Sequence, residues 1–233
     1  MNFRYLIGLL ATLIALPAMA SDYPVQVRSC DRELTFAQAP QRVVVHDVNM
    51  TAMLLHLGLR ERIIGYTGFT RSKHRDPWID EALEGVPQRA SQYPSVETLL
   101  AADTQLFFAG WNYGMQVGGP VTPATLEPFD IAVYELSESC SWVMPQQRAS
   151  LEDVYRDLGN LGRIFSVETQ AGELVGQMRA RVDAVSHAVA RVQPRPQVFL
   201  YDSGEDRPMT SGRLGMPQAL IEAAGGHNVM DLS

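Results

Sequence analysis

Two kinds of motif that mark enzymes are missing from this chain of 233 residues. No glycine follows directly on the first predicted strand, where nucleotide-binding α/β proteins carry a GxGxxG or GxxxxGK(S/T) loop. The GxSxG turn of the α/β-hydrolases is absent as well. We therefore expect a protein that is not an enzyme and holds no cofactor, and an α/β enzyme is the less favoured alternative.

Positive charge is scarce, because 19 Lys and Arg residues stand against 26 Asp and Glu residues, for a formal net charge of −7. The longest basic stretch is the short segment Arg71–Arg75. An acidic surface of mixed charge argues against nucleic acid and anionic lipid as partners. Beyond residues 1–20, no apolar run is long enough to span a bilayer. The sequence therefore predicts neither nucleic-acid binding nor direct membrane insertion.

Residues 1–20 have the pattern of a cleavable signal peptide. A single charge precedes the apolar run Leu6–Leu16, and Ala18-Met19-Ala20 supplies the small residues that signal peptidase reads. At 1.5 Å per helical residue, a run of about eleven residues is too short for a hydrocarbon core of ~30 Å, so an uncleaved anchor is the weaker alternative. We predict cleavage after Ala20 and a periplasmic mature protein.

Only two cysteines are present, Cys30 and Cys140, and their spacing excludes a CxxC metal site. An exported chain meets an oxidising compartment, where paired thiols persist as disulfides. We predict one Cys30–Cys140 bridge, with two separate buried thiols as the alternative. The histidines do not cluster with other ligand types, so the sequence predicts no bare metal site.

Strands alternate with helices over the first part of the chain. A hairpin is predicted over residues 24–36, and short apolar strands are predicted at 42–46, 63–66, 106–109 and 131–134. Asn49 is a candidate helix cap after the first of these strands. Such alternation predicts a parallel sheet with right-handed crossovers. Residues 21–145 are therefore predicted to form a Rossmann-like α/β lobe.

The second part is predicted to begin with helices. Ser150 and Asp153 form a capping-box pattern, and a long amphipathic helix is predicted over about residues 167–192, within a helical connector of residues 146–194. Residues 195–233 then offer one strand, 198–201, and one helix, 217–224. A lone strand and helix are not a stable lobe, so the sequence predicts a partial, truncated C-terminal α/β lobe.

An ordered series of motifs resembles the ferric-siderophore and cobalamin binding proteins of ABC importers. The motifs lie at residues 40–51, 57–66, 94–103, 201–212 and 223–229. The resemblance implies two Rossmann-like lobes joined by one long helix, with ligand bound in the cleft between them. It implies a periplasmic, monomeric substrate-binding protein that captures a chelated metal nutrient, foremost a ferric siderophore, for an ABC permease and its ATPase. Haem or cobalamin binding and a truncated fragment without ligand are the alternatives.

In open parallel sheets, ligands bind beyond the carboxyl ends of the strands, and this rule selects candidate contacts. Aromatic side chains would cover the apolar rim of a chelate, and arginines would pair with its oxygens. Glycines flank Trp111 and Tyr113, which favours a loop, although a loop aromatic packed back on the sheet is equally open. The predicted ligand contacts are His46, Asn49, Tyr66, Phe69, Arg71, Trp111, Asn112, Tyr113, Ser137, Glu138, Ser203, Arg207 and Arg213.

Three candidate residues have further interpretations. His46 is more often, in this position, a hydrogen-bonded neutral group than a metal or haem ligand. Glu97 and Glu222 match, by the resemblance, the glutamates that dock each lobe against arginines of the permease. The alternative is that both glutamates are simply exposed acidic residues on helices, with no docking role.

Overall fold

The computed structural model of the protein describes residues 23–69, 76–144 and 148–231. The predicted signal peptide and Arg71 lie outside these residues. The chain opens with strands β1 (Val25–Ser29) and β2 (Arg32–Phe36), which pair antiparallel, so the predicted hairpin is confirmed. Burial alternates along β1, as expected for a strand with one face on the core.

A parallel sheet of short strands forms the centre of the first lobe. Its strands are β3 (Val43–His46), β4 (Ile63–Thr67), β5 (Gln88–Ala90), β6 (Leu106–Trp111), β7 (Gly114–Met115) and β8 (Ala132–Glu135). The order across the sheet is β5-β4-β3-β6-β8, and β7 pairs with the last residues of β6. The four predicted strands of this sheet are confirmed. The very short β5 and β7 were not predicted.

The crossover helices are short and well capped. They are α1 (Val48–His56), α2 (Pro77–Ala82), α3 (Val96–Ala101) and α4 (Pro123–Leu126). The prediction that Asn49 caps α1 is wrong. The helix begins at Val48, so its cap lies two residues earlier, and the Asp47 carboxylate accepts a hydrogen bond from the Val48 N–H at 2.7 Å.

Helix α5 (Leu151–Phe165) covers one face of the sheet and the hairpin. The predicted capping box is confirmed, since the Ser150 N–H donates to Asp153 Oδ2 at 2.7 Å. The apolar stripe of α5 is buried in the main core through Leu158, Leu161 and Ile164. This helix therefore fixes the hairpin and the carboxyl end of β8 relative to one another.

Helix α6 (Glu168–Val189) is the predicted long helix, and its 22 residues extend for about 33 Å. Only its first half packs on α5 and the core, where Ala171 is 2% exposed. Its second half leaves the first lobe, and Val185 is 48% exposed. No described helix is long and apolar enough to cross a membrane.

The remaining described residues form a small second α/β unit. Strands β9 (Gln197–Val198) and β10 (His227–Asn228) pair in parallel, and α7 (Met216–Ala223) lies between them in sequence. The predicted strand 198–201 is wrong in extent, because Phe199 and Tyr201 are exposed and have no strand partner. A two-residue ladder cannot hold a longer strand in place.

Candidate functional site

His46 lies at the carboxyl end of β3 and is packed in the interior. Its ring is 3% exposed, and its Nδ1 lies 2.7 Å from the Thr67 hydroxyl. Gly68 and Gly114 have positive φ angles and press against this ring, so that a Cβ at either position would lie within 3 Å of it. The surroundings are those of a hydrogen-bonded core histidine. Its contact with a ligand stays a prediction.

Tyr113 is presented by a tight turn between β6 and β7. The Gly110 N–H donates to the Tyr113 carbonyl at 2.7 Å, and Asn112 adopts a left-handed conformation. The Tyr93 hydroxyl donates to the Asn112 carbonyl at 2.6 Å and so fixes the turn from outside. The Tyr113 side chain remains 37% exposed. Tyr113 is thus a partly exposed aromatic at the carboxyl end of β6.

Several chain segments converge on the Tyr113 hydroxyl. Partial burial raises its pKa, and the carboxylates of Glu138, Asp47 and Asp202 raise it further. Asp47 follows β3, Glu138 follows β8, and Asp202 belongs to the second unit. Charged groups from both the first lobe and the second unit therefore act on Tyr113.

Glu138 belongs to a 3₁₀ turn, Ser137–Trp142, that follows β8. Burial, and then the charge of Asp153, raises the pKa of Glu138. Cys140 anchors the same turn through its disulfide with Cys30, so the predicted bridge is confirmed. The disulfide thus ties the turn to the hairpin.

The prediction of a loop at Trp111 is wrong, because β6 runs through this residue. Its side chain is 8% exposed and belongs to a buried cluster that includes Phe107 and Met115. Its indole N–H donates to Glu135 Oε1 at 2.8 Å. The flanking glycines reflect close packing rather than a loop, since a Cβ on Gly110 would meet Ser139 of the 3₁₀ turn at 2.9 Å and a Cβ on Gly114 would meet His46 at 2.7 Å. The open alternative, an aromatic packed back on the sheet, describes Trp111.

Ser137 points away from Tyr113 into a buried polar network. Its hydroxyl donates to Asp157 Oδ1 at 2.6 Å, and its N–H donates to Oδ2 at 3.0 Å. The Tyr134 hydroxyl donates to the same carboxyl group at 2.8 Å, and Asn160 donates to Tyr134. Burial raises the pKa of Asp157 to about 7, despite these hydrogen bonds. Asp157 therefore anchors the start of the 3₁₀ turn from below.

The raised pKa of Asp157 predicts an unusual dependence of stability on pH. The unfolded chain releases this proton near pH 4 and the folded protein near pH 7, so the free energy of unfolding should fall as pH rises between them. The loss amounts to at most about 4 kcal/mol. Asp157→Asn should remove this slope, as measured by denaturant unfolding from pH 4 to pH 8 at constant ionic strength. The prediction would be contradicted if the free energy of unfolding changed with pH in the same way for the wild type and for Asp157→Asn.

The structure disperses the remaining predicted contacts. Tyr66 stacks on the buried Phe69 with ring centroids 4.4 Å apart, and Asn49 is exposed on α1. In the second unit Ser203, Arg207 and Arg213 are all exposed. Sequence reasoning missed Tyr93 and Asp202, which act on the Tyr113 turn. Asp202 directly precedes the predicted Ser203, which is the one sequence signal that pointed toward it.

The two candidate docking glutamates have different surroundings. Glu97 is exposed in the first turn of α3, and a hydrogen bond with Ser95 lowers its pKa. Glu222 lies on α7 and pairs with Arg148 at 2.6 Å. Burial alone would raise the pKa of Glu222, but hydrogen bonds from Gln218 and Arg148 lower it overall. Both groups are therefore anionic at neutral pH.

No group of three or more His, Cys, Asp or Glu side chains within the described ranges could hold a metal ion. The first lobe, the long helix α6 and the small second α/β unit follow one another along the chain. A family model for periplasmic binding proteins matches residues 43–232. The chain therefore belongs to the periplasmic binding protein family, a family of binding proteins rather than enzymes.

Solved structures with the same fold support this assignment. An ABC-type Fe³⁺-hydroxamate transport protein from Saccharomonospora viridis aligns with a TM-score of 0.73 and 24% identity, over 90% of this chain and 71% of its own. A periplasmic binding protein from Veillonella parvula aligns with a TM-score of 0.72 and 24% identity, over 88% of this chain and 67% of its own. The haem-binding protein RhuT from Roseiflexus sp. aligns with a TM-score of 0.62 and 22% identity, over 82% of this chain and 66% of its own. No curated protein matches the sequence.

Proposed function

We propose that this protein is the substrate-binding component of an ABC importer in the periplasm and captures a chelated metal nutrient, foremost a ferric siderophore. The observation that carries the proposal is the position of Tyr113, which lies at the strand ends of the first lobe and within electrostatic reach of Asp202 in the second. A ligand held there contacts both lobes. Likeness to solved binding proteins for an Fe³⁺-hydroxamate system and for haem supports this class of ligand.

Aromatic side chains supply the surface that a large chelate needs. Tyr113 is partly exposed at the mouth of the cleft, with Tyr93 beside it, and Trp142 is 59% exposed at the end of the 3₁₀ turn. Flat aromatic groups bury much area and lose little conformational entropy. In this arrangement Trp111 supports the cleft from behind, through Glu135 and Ser139, rather than touching ligand.

The charge around Tyr113 favours one class of chelate. Asp47, Glu138 and Asp202 all act on its hydroxyl, so the described part of this region is acidic. A ferric tris-catecholate carries net negative charge and would be repelled, whereas a ferric trihydroxamate is neutral or cationic. The exposed Arg207 and Arg213 remain proposed partners for peripheral carboxylates of the ligand. We therefore place ferric hydroxamates first among the candidates.

Replacing Tyr113 with alanine should weaken ferric-hydroxamate binding at least about tenfold, because an aromatic contact at the centre of a cleft contributes about 1.4 kcal/mol or more. Tryptophan fluorescence titration of the purified protein measures the dissociation constant directly. The panel should include hydroxamate, catecholate and carboxylate ferric chelates together with haem and cobalamin.

Phe129→Ala is a matched control for that titration. Phe129 is likewise an exposed aromatic, 49% accessible, but it precedes β8 and so lies at the opposite edge of the sheet. Its removal should leave the dissociation constant unchanged. If folded wild-type protein gave no saturable response to any member of the panel, the proposed function would be wrong. A response only to haem or cobalamin would move the proposal to that ligand.

Delivery of ligand to the permease is proposed to use Glu97 and Glu222. Glu97 is fully exposed and charged, which suits it to meet an arginine of a partner. Glu222 must exchange its internal partner Arg148 for a permease arginine on docking. Uptake measured in cells should fall with Glu97→Arg while binding to the purified protein stays unchanged. Unaltered uptake would refute the docking role.

A further inference from the structure

A second cavity lies outside the cleft, on the side of the first lobe that carries the hairpin. Its volume is about 300 Å³. Its walls come from the hairpin, the 3₁₀ turn after β8 and helix α5, and its lining residues are Arg28, Cys30, Ser137, Cys140, Met144 and Arg156. None of these residues belongs to the group around Tyr113. The cavity is therefore a separate feature of the fold.

The cavity combines cationic walls with an apolar, sulfur-rich interior. Cys30 and Cys140 are buried, and Met144 is partly buried beside them, whereas Arg28 and Arg156 are exposed. Polarisable sulfur atoms make favourable contacts with aromatic rings. Guanidinium groups bind carboxylates with two parallel hydrogen bonds. Such a lining is complementary to an anion with a small apolar body.

The two arginines are not equivalent. Arg156 forms an ion pair with Asp153, and its Nε lies 3.4 Å from the Ser137 hydroxyl. Arg28 donates its Nε to the Cys30 carbonyl at 3.1 Å, and that bond orients the side chain over the disulfide. The described structure shows no acidic side chain paired with Arg28. Its terminal nitrogens remain able to meet a ligand.

We infer that this cavity is a binding site for a small organic carboxylate with an apolar body. The carboxylate pairs with the guanidinium of Arg28, and the apolar body lies against the Cys30–Cys140 disulfide and Met144. Arg156, whose charge is paired with that of Asp153, forms the opposite wall. The site does not depend on the proposed function of the cleft.

Amide-resolved NMR with benzoate as the probe tests this site. Saturable shifts should appear at residues 28–30, 137–144 and 156, and benzyl alcohol, which has the same ring without the charge, should not produce them. Arg28→Gln should raise the dissociation constant for benzoate about tenfold or more. Arg28→Lys should give an intermediate value, because lysine keeps the positive charge but lacks the paired N–H donors of the guanidinium. Arg181→Gln, at an exposed arginine on α6, is the matched control.

Three results would overturn the inference. The first is the absence of saturable shifts at these residues. The second is equal binding by Arg28→Gln, whose folded state the dispersion of the same spectrum reports. The third is a benzoate response confined to Tyr113 and its neighbours, which would assign the binding to the cleft instead.

Discussion

Loss of the Cys30–Cys140 disulfide should lower the free energy of unfolding by about 3 to 5 kcal/mol. The two cysteines are 110 residues apart, so the bond closes a long loop and removes much conformational entropy from the unfolded chain. It also joins the turn of the hairpin to the 3₁₀ turn that carries Glu138. Denaturant unfolding of wild type and of the double variant Cys30→Ala/Cys140→Ala measures the difference.

A reductant provides the internal control for this prediction. Dithiothreitol should shift the wild-type unfolding midpoint toward that of the double variant and should leave the variant itself unaffected. The double variant is preferable to either single one, because a single substitution leaves a free thiol. Equal midpoints for oxidised wild type and double variant would show that the bridge does not stabilise the fold.

Glu135→Ala should destabilise the protein by about 2 to 4 kcal/mol, because it removes a buried acceptor whose arginine partner is itself 34% exposed. Glu135 is 1% exposed, and its Oε2 accepts from Arg32 at 2.7 Å and from the Ser29 hydroxyl at 2.9 Å. Its other oxygen accepts from the indole of Trp111. Without the carboxylate, three donors from the hairpin and β6 lose their acceptor at once.

Glu33→Ala is the matched control for this effect, because Glu33 is an exposed glutamate on the adjoining strand β2. Its loss should change the free energy of unfolding by no more than about 0.5 kcal/mol. Glu135→Gln should fall between the two, since the amide keeps one acceptor but cannot neutralise Arg32. Equal stability of Glu135→Ala and Glu33→Ala would mean that the network contributes nothing net.

The fold was largely readable from the sequence because its strands are continuous apolar runs. Val43–His46 and Leu106–Trp111 are buried along their whole length, which is the pattern of a central parallel strand. The capping box at Ser150 likewise depends on local chemistry alone. The strand predicted at 198–201 failed because strand length depends on partners, and β10 offers only two residues.

The candidate site was harder to predict, because side-chain direction is set by tertiary contacts. Trp111 and Tyr113 are close in sequence, but their side chains have different environments. Glu135 holds the Trp111 indole in the interior, whereas the turn at Asn112 leaves the Tyr113 ring partly exposed. Ser137 and Glu138 are adjacent and still serve opposite sides of the 3₁₀ turn. Asp202 was signalled only by its neighbour Ser203, because its effect on Tyr113 depends on tertiary structure.

The attachment of the hairpin sets the order in which the protein can assemble. Hydrogen bonds from the hairpin and the residues just before it join Tyr23 to Ile164, Gln26 to Arg163 and Arg32 to Val133, partners that are 101 to 141 residues apart in sequence. Contacts of such high sequence separation form late, because the loop-closure entropy must be met first. A ribosome makes the hairpin first, yet its docking surface is complete only once α5 has followed. The earliest part of the fold to be synthesised is therefore the last part of the first lobe to be fixed in place.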